Sequence, residues 1–415
     1  MFIKCLGGFR EVGRNAVLLD GKEKVLLEFG VEVETGETPL NPGRVDQLVL
    51  THPHLDHSGS IPSLYKKRGP PLYATAATLD QAHLLHKDSI KVAKIKGRSP
   101  LFTEADIERM KSAENVITYG QAVEAGNARL SFFEAGHVPG SAMCIVEMDR
   151  KRIMYTGDFN TRSSNLLTGA TVPKVDSVDV LLMESTYSSK DHPPRAEVEK
   201  KLQDLVSETI ANKGIAVIPV FAVGRAAEVL LSLGKLVKKY NVYMDGMARE
   251  ATGIALKYPE LLRDPKMLEH ALNDIRLIYN EDDRNKILNE PSVIITTGGC
   301  LEGGPIIHYL KRLYTRSECS LIFTGFQIPR TAGRYLMDTG RYVTEGVDLK
   351  VKMGMHFLDF SAHAGRSQLL KFVQDLSPRK VVCMHGDYCE RFATELRGRF
   401  GIEAVAPKNG DVIKI

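Results

Sequence analysis

The segment THPHLDHSG (51–59) holds three of the twelve histidines of the chain, together with an aspartate. Imidazole nitrogens and carboxylate oxygens are the ligands that Zn²⁺ accepts where thiolates are absent. His52 and His54 are alternate residues at the end of a predicted strand, so they share a face and can bind one ion. Asp56 and His57 follow where the chain turns into a helix, and can face a second ion. The spacing predicts a metal site, against the alternative of a polar loop with incidental histidines.

Four residues cannot complete the ligand shells of two zinc ions, so further ligands must come from distant segments. Three candidates end apolar, strand-like runs: His137 in EAGHVPGS, Asp158 in YTGDFN and His385 in CMHGDY. Side chains at strand ends project into shared loop space, where active sites are commonly assembled. A single histidine in such a place is more often only hydrogen-bonded, but together with the first cluster the three complete a pattern.

The elements that must position these residues fall into two patterns. The first 180 residues alternate apolar runs, predicted as buried strands, with polar loops. From about residue 186 strands and helices alternate, as in GIAVIPV followed by GRAAEVLLSLGKLVKKY (214–240), which is typical of a doubly wound α/β domain. After about residue 346 the earlier pattern returns. We therefore expect an α/β protein in which one domain (186–345) is inserted into another (1–185 and 346–415).

Composition narrows the function less than the motifs do. With 43% hydrophobic and 26% charged residues the chain is typical of a soluble globular protein. It contains no run of roughly 18 apolar residues that would span a bilayer, and no signal peptide. The six cysteines form no CxxC pair, which fits buried thiols in a reducing compartment. We expect a cytoplasmic protein without a membrane partner. The net charge of +4 is compatible with an anionic partner but does not demonstrate one.

The pattern H-x-H-x-D-H followed by distant His, Asp and His is similar to the metallo-β-lactamase superfamily. This resemblance implies an αββα sandwich, two β-sheets flanked by helices, with two Zn²⁺ ions between the sheets. Carried over, it assigns His52, His54 and His137 to one zinc and Asp56, His57 and His385 to the other, with Asp158 bridging both. The family usually has an aspartate at the end of its second strand, behind the ligands. Here VLLEFG has Glu28, whose extra methylene must shift the backbone or the carboxylate.

Three further segments resemble the additional motifs of the beta-CASP nucleases: LLMESTYSS (181–189), DFSAHAG (359–365) and CMHGDY, with Glu184, His363 and His385. The resemblance covers nearly the whole chain and implies that the inserted domain is the beta-CASP cap. A histidine in the last motif points to the RNA-processing branch. The chain looks most like archaeal homologues of the nuclease subunit of the cleavage and polyadenylation specificity factor. Archaeal members with an N-terminal KH extension are not matched, because the first strand of the nuclease starts at Met1.

The resemblance implies a di-zinc ribonuclease that acts on single-stranded RNA, leaves 5′-phosphate and 3′-hydroxyl ends, and cleaves inside the strand. In that reaction Asp56 accepts the proton of the attacking water. His363 contacts the scissile phosphate or protonates the leaving 3′-oxygen, and Glu184 orients His363. The structural alternatives are a helix-capping carboxylate for Glu184 and a buried structural histidine for His363.

Three basic residues are weaker candidates for RNA phosphate contacts: Lys94 in KVAKIKGR, Arg225 in FAVGRAAE and Arg330 in QIPRTAGR. A solvated helix face is the competing interpretation for Lys94, and an exposed surface arginine for Arg330. Three other functions stay open: a 5′-to-3′ exoribonuclease of the RNase J type, a small-molecule metallo-hydrolase, and an inactive RNA-binding subunit. The last is disfavoured because no ligand has been lost. The oligomeric state is also open, a homodimer being one alternative.

Overall fold

The computed structural model describes residues 1–415, which form two compact units. The first comprises Met1–Ser163, Gly169–Asp191 and Ala362–Ile415, and the second Ser164–Thr168 and His192–Ser361. The second unit is thus inserted into the first, but it ends later than the expected limit at residue 345. The strand Gly354–Phe357 pairs with Ser320–Phe323 in a sheet of the second unit, so the chain returns to the first unit only at Ala362.

The first stretch of the chain supplies eleven strands and three helices of the first unit. They are β1 (Phe2–Gly7), β2 (Ala16–Asp20), β3 (Lys24–Leu27), β4 (Gln47–Val49), α1 (Leu55–Ser58), β5 (Leu72–Ala74), α2 (Ala76–Ile95), α3 (Glu104–Lys111), β6 (Glu114–Val116), β7 (Ala122–Ala125), β8 (Ala128–Glu134), β9 (Ala142–Met148), β10 (Lys151–Tyr155) and β11 (Val180–Glu184). A short 3-10 helix covers Ile61–Tyr65.

The second unit follows with α4 (Arg195–Ala211), β12 (Ile215–Val220), α5 (Arg225–Ser232), α6 (Leu236–Lys239), β13 (Val242–Asp245), α7 (Ala248–Leu256), α8 (Pro265–Asn273), β14 (Arg276–Ile278), α9 (Glu281–Lys286), β15 (Ser292–Thr297), α10 (Ile306–Leu313), β16 (Ser320–Phe323), α11 (Ala332–Thr339), β17 (Arg341–Thr344), β18 (Val347–Lys350) and β19 (Gly354–Phe357). It also has 3-10 turns at Pro259–Leu261 and Ile287–Asn289. The chain then completes the first unit with α12 (Arg366–Leu376), β20 (Lys380–Met384), α13 (Cys389–Phe400), β21 (Glu403–Val405) and β22 (Val412–Lys414).

Two seven-stranded sheets form the centre of the first unit, in the orders β22-β1-β2-β3-β4-β5-β6 and β21-β20-β11-β10-β9-β8-β7. One apolar cluster combines residues of both sheets, among them Val17, Leu27 and Val49 with Phe132, Ile153 and Leu182. Helices α2 and α3 pack on the other face of the first sheet, and α12 and α13 on that of the second. The unit is therefore the αββα sandwich that the resemblance implied.

Strand direction brings the ends of several strands to the same edge of each sheet. In the first sheet β3 runs parallel to β4. In the second sheet β10, β11 and β20 are mutually parallel, and β9 is antiparallel to both β8 and β10. The carboxyl ends of β10, β11 and β20 and the β8–β9 connection therefore share one edge. The N–H of Ala142 donates to the carbonyl of Thr51 at 2.9 Å, which joins this edge to the carboxyl end of β4. All predicted ligands follow strands that end here.

The second unit is built on a parallel six-stranded sheet in the order β14-β13-β15-β12-β16-β19. Successive residues of β12 point to opposite faces, so Ala216 and Ile218 join one apolar cluster and Ile215 and Val217 the other. Helices α4, α5, α7 and α8 contribute to the first cluster, and α10 and α11 to the second. The unit is the predicted doubly wound α/β domain, with a small β17–β18 hairpin added. No helix anywhere in the chain combines the length and apolar character needed to cross a membrane.

Candidate metal centre

The segment after β4 carries four predicted ligands through a tight turn into α1. His52 and His57 are fully buried, while His54 and Asp56 are partly exposed. The N–H groups of His57 and Ser58 donate to the carbonyl of His54 at 2.9 and 2.8 Å, which closes the turn. Gly30 passes so close to α1 that an added Cβ would lie 1.8 Å from the carbonyl oxygen of Asp56. Only glycine therefore allows the loop after β3 to cross α1 at this point.

Asp158 lies at the centre of the predicted ligands. Its Oδ2 is 3.5 Å from Nε2 of His52 and 3.7 Å from Nε2 of His137. Its Oδ1 is 3.4 Å from Nε2 of both His57 and His385. Each carboxylate oxygen thus faces a different pair of histidines, the arrangement expected of a carboxylate shared by two ions.

The remaining ligands complete two adjoining groups. Nδ1 of His54 lies 3.1 Å from Nε2 of His137. Oδ2 of Asp56 lies 3.7 Å from Nε2 of both His57 and His385. The structure therefore brings all seven predicted ligands together, as one group of His52, His54, His137 and Asp158 and another of Asp56, His57 and His385.

The distances between the donor atoms suit bound divalent cations better than they suit direct hydrogen bonds between the side chains. The nitrogen–oxygen separations around Asp158, 3.4 to 3.7 Å, exceed the 2.7–3.2 Å of an N–H···O hydrogen bond. Nε2 of His52 and Oδ1 of Asp158 are buried without any hydrogen-bond partner, which costs about 1–3 kcal/mol for each group when no ion is bound. Two nitrogens that bind one tetrahedral zinc lie about 3.3 Å apart, close to the spacing of the His54 and His137 donors.

The protonation states of most of the ligand histidines also suit metal binding. Burial lowers the pKa of His52 and His137, and lowers that of His54 to about 4, so these rings are neutral at pH 7. Neutral imidazole is the form that binds a metal. Burial also acts on His57, but the charges of Asp158 and Asp56 outweigh it and raise the pKa of His57 well above its usual value. An ion that binds His57 must therefore displace a proton.

Glu28 supports the centre from behind. It is buried, its Oε1 accepts the N–H of Thr51 at 2.9 Å, and its Oε2 lies 3.6 Å from Nδ1 of His57. Its φ of 61° is in the left-handed region, which costs about 1–2 kcal/mol for a residue with a side chain. Whether the extra methylene of glutamate displaces the backbone or the carboxylate relative to an aspartate stays a prediction. Burial raises the pKa of Glu28, although its contacts to His57 and Thr51 oppose the shift.

Asn15 contributes to the centre and was missed by sequence reasoning. Its side-chain Nδ2 lies 3.0 Å from Nε2 of His57 and 3.0 Å from Nδ1 of His385, and its backbone N–H donates to the carbonyl of Asp56 at 2.7 Å. It is fully buried in the turn between β1 and β2. The only signal in the sequence is the glycine-rich stretch GGFREVGRN, which contains no histidine or aspartate.

His363 and Glu184 form a pair beside the ligands. Nδ1 of His363 is 3.0 Å from Oε2 and 3.2 Å from Oε1 of Glu184, and Glu184 also accepts the N–H of Phe159 at 2.9 Å. Burial by itself would lower the pKa of His363, but the negative charges of Glu184 and Asp158 raise it to about 9. The His363 side chain is 20% exposed, so this cationic ring is accessible to a molecule from solution.

None of the three basic residues predicted to contact phosphate belongs to the ligand groups. Lys94 is in the first unit, and Arg225 and Arg330 are in the second. Lys94 is exposed near the end of α2 and forms no hydrogen bond or ion pair with a residue of the centre. Arg225 begins α5 in the second unit, where its guanidinium donates to the carbonyl of Thr324. Arg330 is exposed in the second unit, with a φ of 72°. Their contacts with RNA stay predictions.

Family models match most of the chain in three consecutive segments. The model of the metallo-beta-lactamase superfamily matches residues 10–197, and that of the Beta-Casp domain matches 226–336. A model described as the Zn-dependent metallo-hydrolase RNA specificity domain matches 348–407. A crystal structure of a protein of unknown function from Enterococcus faecalis covers 100% of this chain with a TM-score of 0.63 at 15% identity, which shows a shared fold.

Curated relatives give the family. RNase aCSPSF2 of Saccharolobus solfataricus is 34% identical over 427 residues, covering 100% of this chain and 85% of that protein. The transcription termination factor FttA of Pyrococcus abyssi is 34% identical over 462 residues, covering 100% of this chain and 71% of that protein. An RNase J-like protein of Methanocaldococcus jannaschii is 32% identical over 432 residues and covers 100% of both chains. This chain therefore belongs to the beta-CASP ribonuclease family of the metallo-β-lactamase superfamily, and its relatives include archaeal ribonucleases similar to the cleavage and polyadenylation specificity factor.

Proposed function

We propose that this protein is a zinc-dependent endoribonuclease that hydrolyses phosphodiesters of single-stranded RNA to 5′-phosphate and 3′-hydroxyl ends. Membership of a family of RNA-acting metallo-hydrolases gives the reaction class. The observation that carries the proposal is Asp158, whose two oxygens face separate histidine groups while the His363–Glu184 pair lies alongside. Two ions and a cationic histidine around one space are what hydrolysis of a charged phosphodiester needs.

Two zinc ions would be held by the two ligand groups, with Asp158 common to both. When bound, they supply positive charge that offsets the charge of a phosphodiester, and they lower the pKa of a water molecule in the site. The chain itself keeps the ligands in place. The ring of His137, for example, is fixed by the contact of its Nδ1 with the carbonyl of Ala362 at 3.0 Å, which leaves Nε2 for the ion.

Two other side chains of the centre are suited to move protons. Asp56 faces His57 and His385 and is 24% exposed, so it can accept the proton of the attacking water and orient that water. His363 is a cation at neutral pH, and Glu184 engages its Nδ1, so the proton available to the substrate is the one on Nε2. From there His363 can bind an oxygen of the scissile phosphate or protonate the leaving 3′-oxygen.

A second candidate is 5′-to-3′ exonucleolytic cleavage, favoured by the resemblance to the protein named RNase J-like. The same metal centre would serve both modes, because they differ only in how the end of the RNA is bound. As for the compartment, the six cysteines are free and buried, which supports a reducing cytoplasm. A homodimer stays one alternative for its assembly.

The test uses an RNA oligonucleotide labelled at its 5′ end that carries either a hydroxyl or a monophosphate there. We expect the zinc-loaded protein to produce internal fragments from both substrates. His363→Ala should slow cleavage by about 100-fold or more, the usual contribution of a positioned acid or base. The matched control is His270→Ala, which removes an exposed histidine on α8 in the second unit.

Each result separates the candidates. Release of only the labelled mononucleotide, favoured by the monophosphate, would move the protein to the exonuclease class and leave the metal centre intact. If the zinc-loaded protein cleaves neither RNA, the ribonuclease proposal is wrong. Equal activity of His363→Ala and His270→Ala would remove His363 from the reaction.

A further inference from the structure

A polar cavity of about 320 Å³ lies in the first unit, outside the two ligand groups. Its lining includes Ser188, Lys190, Arg366, Tyr388, Arg391 and Glu395. The proposed mechanism uses none of these residues. Its volume is at the small end of the range for ligand pockets in proteins.

Three segments of the cavity lining also carry residues of the candidate centre, and the rest of the lining belongs to α13. Each segment reaches it within a few residues: Ser188 follows Glu184, Arg366 follows His363, and Tyr388 follows His385. These three segments therefore connect the cavity directly to residues of the candidate centre.

Backbone hydrogen bonds hold the three segments together. The N–H of Arg366 donates to the carbonyl of Lys190 at 3.0 Å, and that of Ser185 to the carbonyl of His385 at 3.2 Å. An added Cβ at Gly386 would lie only 2.4 Å from the Ser185 carbonyl oxygen, so the close approach of these segments needs glycine. The position of the cavity relative to the metal centre is therefore fixed by the fold.

The ring of Tyr187 lies near both His363 and a cation of the cavity wall. The ring of Tyr187 has its centroid 6.0 Å from that of His363, and Nζ of Lys190 lies 5.5 Å from the Tyr187 centroid. A cation on the cavity wall is thus one ring away from the group assigned to the scissile phosphate.

The charges on the wall leave two exposed cations without a carboxylate partner. Glu395 pairs with Arg366 and lies 3.5 Å from Arg399. Asp191, the other acidic residue of the lining, accepts hydrogen bonds from the N–H and hydroxyl of Ser367 at 2.8 and 2.7 Å. Lys190 and Arg391, in contrast, form no ion pair with a carboxylate.

A buried hydroxyl in the lining also lacks a partner. Ser188 is 4% exposed, and its Oγ has no hydrogen-bond partner in the structure. An unpaired buried hydroxyl costs about 1–3 kcal/mol, and a ligand oxygen would remove that cost. Together with the two unpaired cations it indicates a ligand with several anionic oxygens, the chemistry of a phosphate group.

We propose that this cavity binds a phosphate group of the RNA strand other than the one that is cleaved, which rests on the proposed function. Arg391 and Lys190 neutralise the phosphate and Ser188 donates a hydrogen bond to it. Tyr388, 50% exposed on the rim, offers its ring to the neighbouring base. The phosphate is either a phosphodiester along the strand or the terminal 5′-monophosphate, and the experiment distinguishes the two.

The experiment measures equilibrium binding of a 3′-labelled single-stranded RNA, bearing a 5′-hydroxyl or a 5′-monophosphate, over a series of salt concentrations. The zinc-loaded protein carries His363→Ala to prevent cleavage. Arg391→Ala added to it should weaken binding roughly tenfold. It should also reduce the slope of log K against log salt by about 0.7, the value for one phosphate contact with a single strand. The matched control is Arg399→Ala, an arginine of the same helix that is 54% exposed and does not line the cavity.

Equal losses with both RNAs would identify an internal phosphodiester, and a loss confined to the monophosphate RNA would identify the 5′ end. Unchanged binding in Arg391→Ala, the same change in Arg399→Ala, or no binding of either RNA would overturn the proposal. Cleavage is measured separately, with protein that keeps His363. If Arg391→Ala weakens binding as expected but the protein that keeps His363 does not cleave RNA, the proposed function is wrong and the phosphate site is still supported.

Discussion

At the scale of single residues, Asp158 has the widest consequences in the candidate centre. A ligand such as His54, whose Nδ1 lies beside His137, belongs to one ligand group only. Asp158 belongs to both, because each of its oxygens faces the histidine nitrogens of a different group. The histidines around Asp158 hold the pKa of its carboxyl well below the usual range, although burial acts in the opposite direction. If two ions bind as proposed, removing this carboxylate takes an anionic ligand from both at once.

We expect Asp158→Ala to reduce zinc from two ions to fewer than one per chain, and to lower the rate of RNA cleavage by about 100-fold or more. The zinc content is measured by elemental analysis after gel filtration, and cleavage by initial rates. The control Asp375→Ala removes an exposed carboxylate of α12 that pairs with Lys371, and should keep two ions. Two zinc ions retained by Asp158→Ala would contradict a bridging role.

The ligand positions could be predicted from the sequence because their signals are local. Each ligand type directly follows an apolar strand-like run, and the resemblance gives its order along the chain. Residues whose role depends on backbone conformation or on loop packing had no such local signal in the sequence. The left-handed backbone of Glu28 and the placement of the Asn15 amide between His57 and His385 both depend on how distant loops pack. A single sequence does not specify that packing.

At the scale of elements, α2 is attached to α1 through a buried histidine. Nε2 of His86 lies 3.0 Å from the carbonyl and 3.1 Å from the hydroxyl of Ser58, the last residue of α1. The ring is fully buried, and Nδ1 has no hydrogen-bond partner. Burial lowers the pKa of His86 from 6.5 to about 3, because a charged ring cannot be solvated there. The contact between the two helices thus needs a neutral ring.

This gives a pH dependence of stability with a defined sign. The unfolded chain protonates His86 below about 6.5 and the folded chain only near 3, so the contribution is complete above 6.5 and is lost as the pH falls toward 3. Its slope is at most about 1.4 kcal/mol per pH unit. His86→Gln, which removes the titration, should lose less stability than wild type between pH 6.5 and 4.5. Urea unfolding of both proteins with the same chelator measures this, and parallel pH profiles would contradict it.

The limits of the inserted domain were harder to predict than its fold. Strand–helix alternation in residues 186–345 indicated the doubly wound sheet, because buried parallel strands are continuous apolar runs. The last strand of that sheet, β19, has the sequence GMHF and lies at the edge, where only one neighbour, β16, pairs with it. A short edge strand needs little apolar character. Its sequence therefore resembled the flanking domain, and the chain crosses over later than expected.

At the scale of the whole molecule, each unit has apolar clusters of its own. The clusters of the first unit draw on its two sheets and flanking helices, and those of the second on its parallel sheet. All seven proposed ligands belong to the first unit. Zinc bound as proposed would therefore act directly on the folding of the first unit only, since the second unit contributes none of the seven ligands.

Zinc should accordingly stabilise the two units unequally. A ligand at 100 times its dissociation constant adds about 2.7 kcal/mol to the unit that binds it, which corresponds to roughly 5 °C in the midpoint of a domain of this size. We expect scanning calorimetry with chelator to give two transitions, and added zinc to raise only the one assigned to the first unit. Asp158→Ala provides the control, because zinc should then shift neither transition by a comparable amount. An equal rise of both transitions in wild type would contradict the independence of the two cores, whereas no rise at all would contradict the metal centre itself.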